Sequence, residues 1–232
     1  MAYRFEPLGK ELSVCVSAEH TFGTDAFLLS GFASPKARDS VCDLGTGCGI
    51  IPILWFRPGH TPPKKTIAVD IQPQAIDQLR TTLRRFPLPI VPLCADLKTL
   101  SLDAGSFDLV TCNPPYKLAS SGIISRSDAD KIARHETLCT IDDIAACAGK
   151  LLKFGGRFCL CQRPERLCDV ISAMKAHGLE PKRLRFIHKD AVSPPWLFLM
   201  EGKKGAKPFL KVERPFLTDS EEMKRLYRED TP

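Results

Sequence analysis

The residues with the most chemistry in the least space are Asn113-Pro114-Pro115-Tyr116, which close the run Phe107-Asp108-Leu109-Val110-Thr111-Cys112. That run is rich in apolar, β-branched and aromatic side chains, the composition of a buried strand. Two consecutive prolines remove two backbone donors and bias Asn113 and Pro114 towards extended conformations. The result is a rigid loop at a strand's carboxyl end. It carries one amide and one aromatic ring side by side, a pair suited to a flat molecule that bears an NH2 group. A plain strand exit has the same look, since Asn-Pro also opens turns. The residues upstream weigh against that plainer reading.

Asp43-Leu44-Gly45-Thr46-Gly47-Cys48-Gly49 puts a carboxylate at a strand end and then three glycines in alternation. Glycines tolerate positive φ and let a ligand lie against bare backbone. The third glycine falls one place early for the dinucleotide fingerprint Gly-x-Gly-x-x-Gly, which weakens the case for a pyrophosphate. Asp43 weakens it further, because a carboxylate sits poorly beside phosphates and well beside an amino or ammonium group. A second carboxylate, Asp70, ends the run Thr66-Ile67-Ala68-Val69, 27 residues after Asp43. A ribose diol is held by such a residue; a helix cap is the alternative role. Asp96 follows a third run, Ile90 to Cys94, placed to accept from an adenine amino group.

The elements that must position these groups alternate. Leu12, Val14 and Val16 predict a short strand or hairpin within residues 1–17. Thr24 or Asp25 is expected to cap a helix to about Ala33. Strand Val41–Leu44, helix Ile50–Phe56, strand Thr66–Asp70, helix Gln74–Arg85 behind Pro73, strand Ile90–Cys94 and strand Phe107–Cys112 follow. Thr140 caps a helix to Leu152, Gly155-Gly156 turns into strand Arg157–Cys161, and a helix runs from Pro164 to Ala176. Leu184–His188 and Trp196–Glu201 supply a closing antiparallel hairpin. The fold expected is α/β, a doubly wound and mostly parallel sheet with ligands at its carboxyl edge. A single domain over 1–232 is expected, with an extension at 1–39, a core at 40–203 and a tail with a short helix at 204–232.

Asp43-x-Gly45-x-Gly47-x-Gly49, Asp70, Asp96 and Asn113-Pro114-Pro115-Tyr116, in this order, resemble a class I S-adenosylmethionine-dependent methyltransferase. More narrowly, Phe22-Gly23-Thr24-Asp25-Ala26, Ala133-Arg134-His135-Glu136 and the tail from Pro208 to Tyr227 resemble the bacterial valine-tRNA adenine-N6 methyltransferase family. The resemblance implies S-adenosylmethionine as cofactor and an RNA adenine amine, most naturally in tRNA, as substrate. By the same resemblance the methionine part lies over Gly45, Gly47 and Gly49 beside Asp43. The ribose lies on Asp70 next to Ile71, and the adenine near Asp96 and Leu97, with Thr24 and Asn113 completing the cofactor contacts. Asn113 Oδ1 and the Pro114 carbonyl would accept the two amine hydrogens, while Pro115 stiffens the loop and Tyr116 stacks on the base. A release-factor glutamine methyltransferase shares this core and would offer an amide NH2 to the same acceptors. It usually carries a helical domain ahead of the core, not expected here with 42 residues before Asp43. A non-catalytic RNA-binding protein on the same fold is the alternative from another class.

Composition bounds the rest. No uncharged apolar stretch approaches the roughly 20 residues of a membrane span, and the first residues lack a signal-peptide core. A cytoplasmic protein without membrane attachment is expected. Ten cysteines are scattered with no Cys-x-x-Cys pair, and five histidines show no ligand spacing. Reduced, core-filling cysteines and no metal are the expectation, as is a monomer. The net charge of +6 permits a polyanionic partner. Basic residues gather at Arg80/Arg84/Arg85, Lys182/Arg183/Arg185/Lys189 and Lys203/Lys204/Lys207, and would contact RNA phosphates if they shared the crevice face. The stretch Lys117 to His135 reads as a long polar loop beside the catalytic edge, either a substrate loop or simply a mobile one.

Overall fold

A computed structural model describes residues 3–18, 20–114 and 139–227. The amino-terminal hairpin pairs β1 (Arg4–Pro7) with β2 (Ser13–Val16) in antiparallel register. The apolar runs then build one sheet from β3 (Ser40–Leu44), β4 (Lys65–Asp70), β5 (Ile90–Cys94), β6 (Phe107–Cys112), β7 (Leu152–Gln162), β8 (Leu179–His188) and β9 (Pro195–Lys204). The order across it is β5-β4-β3-β6-β7-β9-β8. Neighbours from β5 to β7 are parallel, and β9 runs antiparallel between β7 and β8. Two short strands of the tail, β10 (Lys211–Val212) and β11 (Phe216–Leu217), lie parallel along β8. Edge position explains how β5 accommodates Pro92, whose missing donor would break a central ladder.

The helices cover both faces: α1 (Thr24–Ala33), α2 (Ile50–Leu54), α3 (Pro73–Arg85), α4 (Ile141–Leu151), α5 (Leu167–Ala176) and α6 (Glu221–Tyr227). Strand side chains alternate between the faces with a period of two. Val41, Leu109, Leu197 and Leu199 join a core with α1, α2, Leu79 of α3 and Met223 of α6. Cys42, Val110, Phe198 and Met200 join the opposite core with Ile144, Ala148, Val170 and Met174. Leu8, Leu12 and Val14 of the hairpin region and Phe216 of the tail share the first of these cores. All ten cysteines are free thiols, seven of them buried.

Three local expectations change. Helix α1 is capped by Gly23 with no side-chain bond, so neither Thr24 nor Asp25 serves as its cap. Gly155 and Gly156 lie inside β7 rather than before it, where the register with β6 shifts between Phe107 and Leu109. A Cβ on Gly156 would stand 3.1 Å from the Phe107 carbonyl, so glycine permits this close bulge. The Pro164 segment opens as a single 3-10 turn, Pro164–Arg166, before α5. Thr140 does cap α4, in a reciprocal box with Asp143.

Strand order sets the location of a site. Beyond β3 the chain turns to β4 on one side, while β6 lies on the other, so the loops leaving β3 and β6 diverge. A crevice opens at that switch point, at the carboxyl edge. No helix among the described residues is long and apolar enough to cross a membrane.

Candidate active site

A cavity of about 400 Å³ occupies the switch point. Gly45 and Gly47 after β3, Asp70 and Ile71 after β4, Asp96 and Leu97 after β5, and Asn113 and Pro114 after β6 all line it. His20, Thr21, Gln72 and Cys139 add to the wall. The four strand ends therefore meet around one space.

The glycine turn is shaped by its own backbone. Gly45 and Gly47 have φ of 67° and 57°, conformations that side chains disfavour, and a Cβ on either would meet nothing within 4 Å. Both would project into open space beside the cavity, so the missing side chains leave room for a ligand against bare backbone. The Thr46 amide donates to the Val69 carbonyl at 2.9 Å, which ties the turn to β4.

Asp70 is buried and completes that tie. Its Oδ2 accepts from the Gly47 amide at 2.8 Å and its Oδ1 from the Gln72 amide at 2.9 Å. A carboxylate oxygen has a further lone pair, so each remains able to accept a ligand hydroxyl. Asp96 Oδ1 takes the Lys98 amide at 2.9 Å and fixes its own loop. Ile71 is 41% exposed, an apolar side chain left at the cavity wall beside a carboxylate. Among the described residues, two carboxylates and no lysine or arginine face this space. Such a wall suits a cationic ligand with hydroxyl and amino groups, and opposes phosphates.

Asp43 and Gly49 lie elsewhere. Asp43 is fully buried beneath the turn, outside the cavity lining, and its Oδ1 accepts from the Thr111 hydroxyl at 2.5 Å. Its Oδ2 has no hydrogen-bond partner among the described residues. Burial pushes this carboxyl up from 3.8 to about 7; the hydroxyls of Thr111 and Thr46 pull it back, and the charge of Asp70 adds to the rise. Gly49 (φ 83°) starts α2, and a Cβ there would lie 2.5 Å from Leu79, so its need is helix packing against α3. Thr24 is not brought to the cavity: its hydroxyl meets the Tyr227 hydroxyl of α6 at 2.9 Å. Pro115, Tyr116, the Lys117 to His135 stretch and Ala133-Arg134-His135-Glu136 lie outside the described residues.

Asn113 is held from two sides. Its Nδ2 donates to Asp25 Oδ2 at 2.9 Å, and its Oδ1 accepts from the Cys161 thiol of β7 at 3.1 Å. His20 and Thr21 were not foreseen from sequence. They precede the Phe22-Gly23-Thr24 stretch, and the His20 carbonyl is fastened to α3 by Gln78 Nε2 at 3.3 Å. Cys139 gave no sequence signal at all.

A larger cavity, about 850 Å³, lies between α1 and the β7–β9 side of the sheet. Three of its four arginines are matched: Arg157 and Arg183 pair with Glu201, Arg183 also with Glu213, and Arg185 with Glu222. None of the four strand ends reaches it. None of the basic clusters lines the crevice either. Lys203 stands in register with Arg157, itself opposite Leu109, towards the end of the sheet away from Asn113. Lys182 donates to the Lys207 carbonyl, which joins the second and third clusters. Arg84 and Arg85 end α3, far along the helix from its start near Asp70.

Residues 41–123 match the methyltransferase domain family. A relative in Phocaeicola vulgatus named tRNA1(Val) (adenine(37)-N6)-methyltransferase is 27% identical over 188 residues, 78% of this chain and 76% of its own length. The protein of the same name in Parabacteroides distasonis is 27% identical over 90% of this chain and 86% of its own. Among solved structures, a predicted O-methyltransferase from Agrobacterium tumefaciens has a TM-score of 0.70 at 18% identity, covering 88% of this chain and 95% of that one. A geranyl diphosphate C-methyltransferase from Streptomyces coelicolor, solved with S-adenosyl-L-homocysteine, has a TM-score of 0.58 at 12% identity, covering 77% and 74%. The sheet order and the domain match agree.

Proposed function

We propose, from the premise that this chain is an S-adenosyl-L-methionine-dependent methyltransferase, that it methylates the exocyclic N6 amine of adenine in tRNA. The observation that carries the reading is the shared cavity: Gly45, Gly47, Asp70 and Asp96 form one wall and Asn113 with Pro114 the other. The residues fit the cofactor. Bare backbone at Gly45 and Gly47 leaves room for its methionine part, Asp70 retains acceptor capacity for ribose hydroxyls, and Ile71 and Leu97 offer apolar faces beside Asp96 for a purine. When bound there, the cofactor supplies an electrophilic methyl group.

The chain's own task is to present the nucleophile. An exocyclic amine is a poor one because its lone pair is delocalised into the ring. Asn113 Oδ1 and the Pro114 carbonyl accept its two hydrogens and draw that lone pair out of the ring plane. Holding the nitrogen at attack distance supplies much of the rate. The Asn113 acceptor is held by Asp25 and Cys161 before substrate arrives, which avoids reorganisation during reaction. The base must leave its stack to enter, which costs least in a single-stranded loop.

The tRNA reading is supported by the names of the two relatives, which align along most of this chain. Labelled methyl transfer to total tRNA from a strain lacking the gene, followed by nucleoside mass spectrometry, tests it. N6-methyladenosine is the expected product. Label confined to protein, at a glutamine amide, would replace this reading with the release-factor type. We further place the protein in the cytoplasm as a single methyltransferase domain acting as a monomer.

A further inference from the structure

We propose that Asp25 is the positioning residue that dictates which end of the Asn113 amide faces the substrate amine; this deepens the reading of Asn113 as acceptor and rests on it. A primary amide has two ends of similar size and opposite hydrogen-bonding sense. An amine can be held only by the oxygen end, so a flipped Asn113 would offer donors to donors. Asp25 removes the choice. Its carboxylate only accepts, and it takes the Nδ2 hydrogen at 2.9 Å. The Cys161 thiol, a donor, meets the opposite end at 3.1 Å. Two neighbours of opposite sense thus select the same orientation.

The neighbouring backbone is arranged around that carboxylate. Gly23 has φ of −119° and ψ of −177°, an extended conformation open to any residue. Yet a Cβ on Gly23 would stand 2.7 Å from Asp25 Oδ1. The glycine is required for the space that the Asp25 carboxylate fills, not for its backbone angles. Asp25 lies in the first turn of α1, whose Phe27, Leu28 and Leu29 are buried, so the carboxylate is carried by a packed helix. Gly23 and Asp25 are thereby explained as a support for Asn113 across 88 residues of sequence.

The test compares Asp25→Ala, Asp25→Asn, Gly23→Ala and Asn113→Ala in methyl transfer to tRNA, with cofactor affinity measured by calorimetry. Asp25→Ala should lower kcat by about tenfold to a hundredfold, a typical loss for a misplaced reacting group, while cofactor affinity holds within about twofold. Asp25→Asn keeps an acceptor oxygen and should retain most of the activity; Gly23→Ala should resemble Asp25→Ala. Equal loss in Asp25→Asn and Asp25→Ala would overturn the proposal in favour of a charge effect at the helix start. Wild-type kcat in Asp25→Ala would overturn it as well. If Asn113→Ala is inactive while Asp25→Ala is fully active, this inference alone fails; if Asn113→Ala is fully active, the underlying reading fails. A readout free of turnover is the side-chain amide NMR signal of Asn113, identified by its loss in Asn113→Ala. Its position should stay close to that of the wild type in Asp25→Asn and move in Asp25→Ala; no change in Asp25→Ala contradicts the proposal.

Discussion

Asp43 and Asp70 end neighbouring strands, carry the same side chain and have different fates. Asp70 has two backbone amides and a place on the cavity wall, whereas Asp43 has full burial with the Thr111 and Thr46 hydroxyls beside it. Burial without full pairing raises the Asp43 carboxyl to about 7. The sign of the consequence follows from linkage. The folded value lies above the unfolded one, so the native state keeps its proton after the unfolded chain has lost it. Stability therefore falls as pH rises between those two values, and the cost is complete above about pH 7. The ligand-free protein should lose thermal stability on going from about pH 5 to about pH 8, and Asp43→Asn should flatten that slope in calorimetric melts. Asn113→Ala should cost at least about a hundredfold in turnover, the scale set by deleting one preorganised electrostatic partner. Sequence made Asp70 and Asn113 legible because each follows its strand directly into the crevice. It could not separate Asp43 from them, because burial at a strand end depends on the partner strands that close over it.

At the scale of elements, the three alternating glycines divide their work. Gly45 and Gly47 face open space, while Gly49 seats the start of α2 against Leu79 of α3. Gly49→Ala adds a Cβ at positive φ and a 2.5 Å encounter with Leu79. It should destabilise the fold by about 2 kcal/mol or more by overpacking and backbone strain, read as a lowered midpoint in denaturant. Strand and helix positions were legible to within a few residues because period-two and helical patterns are local. The cap of α1 was not, since Asp25 is drawn away by Asn113, a partner far along the chain. The glycines inside β7 were read as a turn because a bulge shows only once β6 is laid beside it.

Across the whole molecule, the tail returns to the start of α1. Tyr227 stacks on Phe27 with ring centroids 4.3 Å apart, its hydroxyl meets Thr24, and the Leu226 carbonyl accepts from the buried Arg57 at 3.0 Å. Truncation after Ser220 removes Met223, Leu226 and Tyr227 together. Met223 is buried, Leu226 partly buried and Tyr227 42% exposed, so at roughly 1.5–3 kcal/mol for one fully buried large side chain a loss of about 2–4 kcal/mol is expected, seen as a fall in melting temperature. Tyr227→Phe keeps the stack and should cost about 1 kcal/mol or less. Sequence showed a short terminal helix but could not show where it docks. The basic clusters likewise were visible as residues, while the place of Lys203 at the far end of the sheet follows only from strand register. The central claim is that the crevice between the glycine turn and Asn113 holds the methyl donor. A crystal structure with S-adenosyl-L-homocysteine tests it most directly. The account predicts ribose hydroxyls on Asp70, adenine beside Ile71, Asp96 and Leu97, and the sulfur facing Asn113; a ligand seated in the arginine-lined cavity, or one whose sulfur points away from Asn113, would contradict it.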